Sequence, residues 1–228
     1  MRSQTQPGLV EIVRRHEKTA KDNNGKKLDR PTPEGLTAAY ERGIQLRQEY
    51  PDHVIEGRHS KLNRTQIACA AWLSGAGALP LNETMRYEQG LDSVKMDPEV
   101  KAQVRNLPKE ELQESIFGEY VGCLKEAGAR VANHLANSIN EYHHETDQPT
   151  ARVNVSHGPI IDVAYLMLQG EDITLENAKK ATGLFNEGTG FELSVKKQGP
   201  IYVAELGIGD KKQEYELREL LENAQEYL

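Results

Sequence analysis

Apolar and polar positions along this chain follow two rhythms. Short apolar runs recur at Leu9-Val10-Glu11-Ile12-Val13, His53-Val54-Ile55-Glu56, Arg152 to Ser156, Phe191 to Val195 and Ile201 to Leu206. Runs of this length, bounded by charged or turn-forming residues, predict strands. Between them, apolar or small residues return every three or four positions, which predicts helices. Leu36, Ala39, Tyr40, Gly43, Ile44 and Leu46 belong to one that Thr32 caps, with Pro33 in its first turn, and that ends near Tyr50-Pro51. A second spans about Leu62 to Leu73 and stops at Gly75-Ala76-Gly77. A third runs from Glu110 to Tyr142 with a break near Gly118, and its second part puts Leu124, Gly128, Val131, Leu135, Ile139 and Tyr142 on one face. The helix starting at Pro159 is apolar nearly all round, which predicts burial. The tail from Lys211 to Leu228 carries Leu217, Leu220, Leu221, Ala224 and Leu228 at helical spacing, with Asp210-Lys211-Lys212 as its solvated start. Lys18 to Arg30, with Asn23-Asn24-Gly25, reads as a loop, and Leu79 to Asp97 as irregular and polar.

Strands alternating with helices predict a single α/β domain over 1–228. Its expected form is a three-layer α/β/α arrangement: a mostly parallel sheet with helices on both faces, a helical cap or insertion at 98–148, and a C-terminal hairpin across Lys196–Pro200 followed by a helix.

Composition narrows what such a domain does. A formal charge of −7 argues against nucleic acid as a partner, because duplex binding rests on phosphate neutralisation. Any phosphate site must be a local basic pocket on an acidic body. The two cysteines, Cys69 and Cys123, form no CxxC pair and no disulfide framework, and read as packed helix residues. The longest apolar stretch, Pro159 to Leu168, is too short to cross a bilayer and contains Asp162. The N-terminal residues lack the apolar core of a secretory signal, so the expected setting is cytoplasmic, with no membrane partner.

Two histidines stand where apolar runs end, His16 after Arg15 and His157 before Gly158. In α/β sheets, strand ends deliver such residues to one ligand crevice. Arg15 and Arg64 are the arginines expected beside them, and guanidinium forks suit the oxygens of a phosphoryl group. A neutral imidazole can attack phosphorus, and a second histidine can steady the charge that develops. Helix N-termini after His16, Ser60 and His157 are expected to add backbone donors. His143-His144-Glu145 does not read as a metal site, since adjacent helical residues diverge and no third ligand has a fixed spacing, so no metal or other cofactor is expected.

Four segments, in order, resemble the histidine phosphatase superfamily in its phosphoglycerate mutase-like branch. Val13-Arg14-Arg15-His16-Glu17-Lys18-Thr19 is similar to that family's Arg-His-Gly-Glu-Thr/Ser strand end. Pro31-Thr32-Pro33-Glu34-Gly35-Leu36 resembles its Leu-Thr-x-x-Gly helix start, and Ser60-Lys61-Leu62-Asn63-Arg64-Thr65 its Ser-x-Leu-x-Arg-Ala turn. Val155-Ser156-His157-Gly158 matches its Ser/Ala-His-Gly strand end.

The resemblance implies His16 as a nucleophile that becomes phosphorylated, with Arg15, Arg64 and His157 holding the phosphoryl group. It implies a glutamate as proton donor; Leu81-Asn82-Glu83 fits the expected context, and Glu88 before Gln89-Gly90 is its rival. Two positions depart from the family. Glu17 replaces the motif glycine and must turn away from the phosphate, and Lys18 follows it where the family has an acid or amide. Asp22, flanked by Asn23 and Asn24, stands where a phosphate-binding asparagine often lies. The implied activity is phosphomonoester hydrolysis of a small phosphorylated substrate. A mutase is the alternative, against which Arg105 and Arg130 stand isolated rather than paired, and a non-catalytic binding protein on the same fold is another. The C-terminal helix packs on its own domain or on a second subunit, which leaves a homodimer open.

Overall fold

The computed structural model describes residues 7–105, 107–145, 148–198 and 201–225. In chain order the elements are β1 (Leu9–Arg15), β2 (Thr19–Lys21), β3 (Lys27–Pro31), α1 (Pro33–Glu49), β4 (Val54–His59), α2 (Asn63–Gly75), α3 (Leu81–Thr84), β5 (Met85–Tyr87), α4 (Pro98–Arg105), α5 (Lys109–Phe117), α6 (Val121–Glu145), β6 (Thr150–Ser156), α7 (Ile160–Leu168), α8 (Leu175–Thr182), β7 (Gly190–Gln198), β8 (Ile201–Ile208), β9 (Lys211–Glu216) and α9 (Leu217–Gln225).

Seven strands form one sheet in the order β5-β4-β6-β1-β7-β8-β9. The first four are parallel, and β7, β8 and β9 extend it as an antiparallel ribbon. β1 is buried on both faces, as its unbroken apolar run requires. Leu9 and Val13 join a core with α6, α7 and α9, whereas Val10 and Ile12 pack with α1 and α2 on the other side. This is the three-layer α/β/α arrangement. Every residue of α7 is buried, as its all-round apolarity predicts. On the opposite face α1 and α2 touch backbone to backbone, because a side chain at Gly43 would meet the Trp72 carbonyl.

Four expectations need correction. The tail does not start as a helix: Gly209, at φ +56, turns the chain and Lys211–Glu216 pairs with β8. Its helix-forming charged residues are overridden by edge pairing and by burial of Tyr215, and the charge suits an exposed edge. Residues 18–30 are a hairpin rather than a loop, with Gly25 at φ +78 in its turn and Asp22 accepting from the amides of Asn24 and Lys26. The polar stretch after Leu79 holds a one-turn helix and the edge strand β5. Finally, α6 is a core layer: Leu124, Val131, Leu135 and Ile139 are fully buried, so only α4 and α5 stand apart in the expected cap. The break near Gly118 is present. The turn of the β7–β8 hairpin at 199–200 and the chain end at 226–228 lie outside the described residues, and nothing is said of the side chains of Arg105, His143, His144 and Glu145. Among the described residues no helix is long and apolar enough to cross a membrane. Cys69 is buried, and Cys123 is half-buried.

Candidate active site

The C-terminal ends of β1, β4 and β6 meet at one edge of the sheet. His16 follows β1 and is 8% exposed, its amide bonded to the Ser156 carbonyl of the neighbouring strand. Its Nδ1 lies 2.8 Å from the Glu17 carbonyl oxygen. A carbonyl only accepts, so Nδ1 carries the ring hydrogen and Nε2 keeps its lone pair. Arg64 Nε donates to that nitrogen at 3.1 Å. Burial first, then the charges of Arg64 and Arg15, pull the His16 pKa down to about 4, with the Glu17 carbonyl opposing. The imidazole is therefore neutral at ordinary pH.

His157, just past β6, meets His16 edge to face with ring centroids 5.5 Å apart. Its Nε2 is 2.9 Å from Ser60 Oγ, which contacts Thr65 Oγ1 at the same distance. Arg15 lies across the chain after His157: a side chain at Gly158 would sit 2.9 Å from Arg15 Cζ, so only glycine leaves room. The Arg15 guanidinium donates to Phe185 O at 2.8 Å and pairs with Glu187 at 3.5 Å. Its Nε is buried with no partner among the described residues. Such an orphaned donor is costly unless a ligand takes it. Asp162 anchors the Phe185 turn through the Phe185 amide and the Thr182 hydroxyl, and burial raises its pKa against those bonds.

The loop from Asn186 to Thr189 is stitched to the Arg15-His16 segment. Gly188 N donates to the Arg15 carbonyl at 3.1 Å, and Arg15 N donates to Thr189 O at 2.8 Å. Glu187 is thereby fixed at the rim beside Arg15. A second rim acid, Asp29 of β3, takes Arg64 Nη1 at 3.0 Å and the amides of Asn63 and Arg64. Asp29 thus takes the first amides of α2. No helix follows His16, because the β2–β3 hairpin intervenes and α1 begins only at Pro33 under its Thr32 cap.

The structure therefore brings together Arg15, His16, Arg64 and His157. It does not bring Glu83 to them. Glu83 is exposed on α3, ahead of Met85, and Met85 pairs with Gly57, short of the β4 end. The Leu-Asn-Glu context misleads because the strand that reaches the site edge starts after it. Glu88 does reach that edge, its amide on His59 O, but its carboxylate turns to Gly90 N at 3.1 Å and His134 at 3.6 Å. The residues that sequence reasoning missed are Glu187 and Asp29. The Asn-Gly turn signals the hairpin that carries Asp29, whereas nothing periodic marks Glu187. Glu17 turns into α1, where Oε1 accepts from Arg42 at 2.6 Å, and burial raises its pKa despite that pairing. Lys18 is exposed, and Asp22 serves its hairpin turn. Among the described residues no group of three or more metal-ligating side chains occurs.

No family model matches the sequence, and no curated protein sequence matches it. Solved structures do. A phytase from D. castellii aligns with a TM-score of 0.64 at 11% identity, over 99% of this chain and 81% of its own. A mycobacterial glucosyl-3-phosphoglycerate phosphatase aligns at 0.55 and 13% identity, over 87% of this chain and 97% of its own. A phosphoserine phosphatase from Entamoeba histolytica aligns at 0.52 and 17% identity, over 82% and 90%. This chain shares the fold of these phosphatases, a mostly parallel sheet with helices on both faces.

Proposed function

We propose that this protein hydrolyses phosphomonoesters through a covalent phosphohistidine on His16. The observation that carries the reading is the neutral His16 ring, with its Nε2 lone pair at the site and Arg64 alongside. Arg15, Arg64 and His157 bind the oxygens of the phosphoryl group, and the orphaned Arg15 Nε gains an acceptor. As the phosphoryl oxygens take over the Arg64 N–H that held it, Nε2 attacks phosphorus, the bond to the ester oxygen breaks, and the leaving oxygen takes a proton. Water then attacks phosphorus, the P–N bond breaks, and its proton passes to a carboxylate while phosphate leaves.

Glu187 is the carboxylate assigned to these proton transfers, because it pairs with Arg15 while the Glu88 carboxylate bonds Gly90 N and lies beside His134. The rim acids also weigh against a mutase. A mutase must hold a second anionic group, and here both phosphate-binding arginines already face Asp29 or Glu187.

Turnover of p-nitrophenyl phosphate, with trapping of acid-labile, base-stable phosphate on the protein, tests the nucleophile. His16→Ala should lose both, and equal rates in the two proteins would leave only a phosphate-binding role. Glu187→Gln should slow hydrolysis of glycerol phosphate by about 100-fold while sparing p-nitrophenyl phosphate, whose leaving group needs no acid. If Glu88→Gln shows that split instead, the donor is Glu88.

A further inference from the structure

On the α6 face of the sheet, beside its β5 edge, lies a cleft of about 480 Å³, within the range of small-molecule pockets. Arg58, Arg86, Arg130, Arg152 and His134 line it, and none of the His16 cluster does. Its floor is an ion network in which guanidinium groups share carboxylates. Glu56 alone serves three guanidinium groups, Arg58 at 2.8 Å, Arg152 at 3.0 Å and Arg86 at 3.9 Å. Glu11, fully buried, is already taken by Arg152, Ser138 and Asn154. Arg130 reaches Glu126 with one nitrogen, while its Nε is buried without a partner among the described residues. Of the acids that line the cleft, Glu88 is held by Gly90 N and His134, and Glu141 is exposed at the rim.

We propose that this cleft is a second binding site, for a small phosphate-bearing anion. Guanidinium forks from three strands and one helix converge there, and a phosphate offers the shared acceptor oxygens that Glu56 cannot supply to all of them. The crowding has an electrostatic trace: burial, with Arg86 and Arg152 as like charges, lowers the Arg58 pKa against the pull of Glu56. An anion in the cleft relieves that repulsion. None of Arg15, His16, Arg64 or His157 lines the cleft, although Glu88 does, and the proposal does not depend on the hydrolase reading.

The test counts inorganic phosphate bound to the full chain by calorimetry, in a His16→Ala background so that no phosphoryl transfer intervenes. Two phosphates per chain are expected. Arg86→Gln with Arg130→Gln should remove one, and Arg64→Gln should weaken the other. Should the double variant fail to fold, Arg86→Gln alone, at a residue that is largely exposed, should weaken the cleft phosphate by about tenfold. A single phosphate that responds only to Arg64→Gln overturns the proposal, as does a second phosphate that survives both cleft substitutions. A single phosphate lost with Arg86 and Arg130 but indifferent to Arg64 upholds it and instead overturns the reading of the His16 cluster.

Discussion

The same three strands build two polar regions of opposite character. Midway along them, Glu11 on β1, Arg152 and Asn154 on β6, and Glu56 and Arg58 on β4 bond mainly to one another. At their ends Arg15, His16, Ser60 and His157 converge, with Arg64 on His16 Nε2 and the Arg15 Nε left without a partner among the described residues. Within a sheet, a polar group must find its partner among neighbouring strands or helices or bear the cost of desolvation. Past the strand ends the ladder stops, and partners can be left for a ligand. Rigidity is supplied by the middle of the sheet and chemistry by its edge.

Substitutions that trade one role for the other test this contrast. The largest effect should come from His16→Ala, which should lower phosphomonoester turnover by about three orders of magnitude or more, with a urea midpoint near that of the parent. Arg152→Leu should do the reverse, costing about 3–5 kcal/mol in urea unfolding because it leaves Glu11 buried without its cation. If Arg152→Leu melts like the parent, the midsection is not the structural half. Gly158→Ala should raise KM for p-nitrophenyl phosphate about tenfold without changing the melting temperature, since the new methyl displaces only the Arg15 guanidinium. An unchanged KM would remove Arg15 from phosphate binding.

The smallest effect should be on pH dependence. His16 holds a folded pKa of about 4 against an ordinary 6.5, so the unfolded chain takes the proton first. Its contribution to stability is complete above about pH 6.5 and is lost as pH falls towards 4. The parent's urea midpoint should therefore decline over that window more steeply than that of His16→Ala. The acid limb of kcat/KM should also lie near pH 4, where the nucleophile is protonated. A limb near 6.5 would mean that the ring is not buried as described.

Legibility in the sequence followed burial. β1, β6 and α7 were readable because apolar runs answer directly to a two-sided core, and the histidines stood out against them. β9 and the β2–β3 hairpin were not, because their charged residues face water and only backbone pairing makes them strands. The site divided in the same way. Arg15, His16, Arg64 and His157 were legible from motif and register. Glu83 sits on a four-residue helix ahead of β5, a local turn that its Leu-Asn-Glu context does not encode. Glu187 was hidden because backbone bonds from Gly188 and Thr189, which no side-chain pattern encodes, set its position.

The pairing of β1 with β6 places Leu9 opposite Thr150, and β1 also needs β7, where Val13 faces Phe191. Both strands that flank β1 lie far from it in sequence. Contacts so distant in sequence carry a large loop-closure cost and form slowly. Burial of the His16 imidazole therefore depends on pairing with distant strands, and until they pair the ring keeps an ordinary affinity for protons.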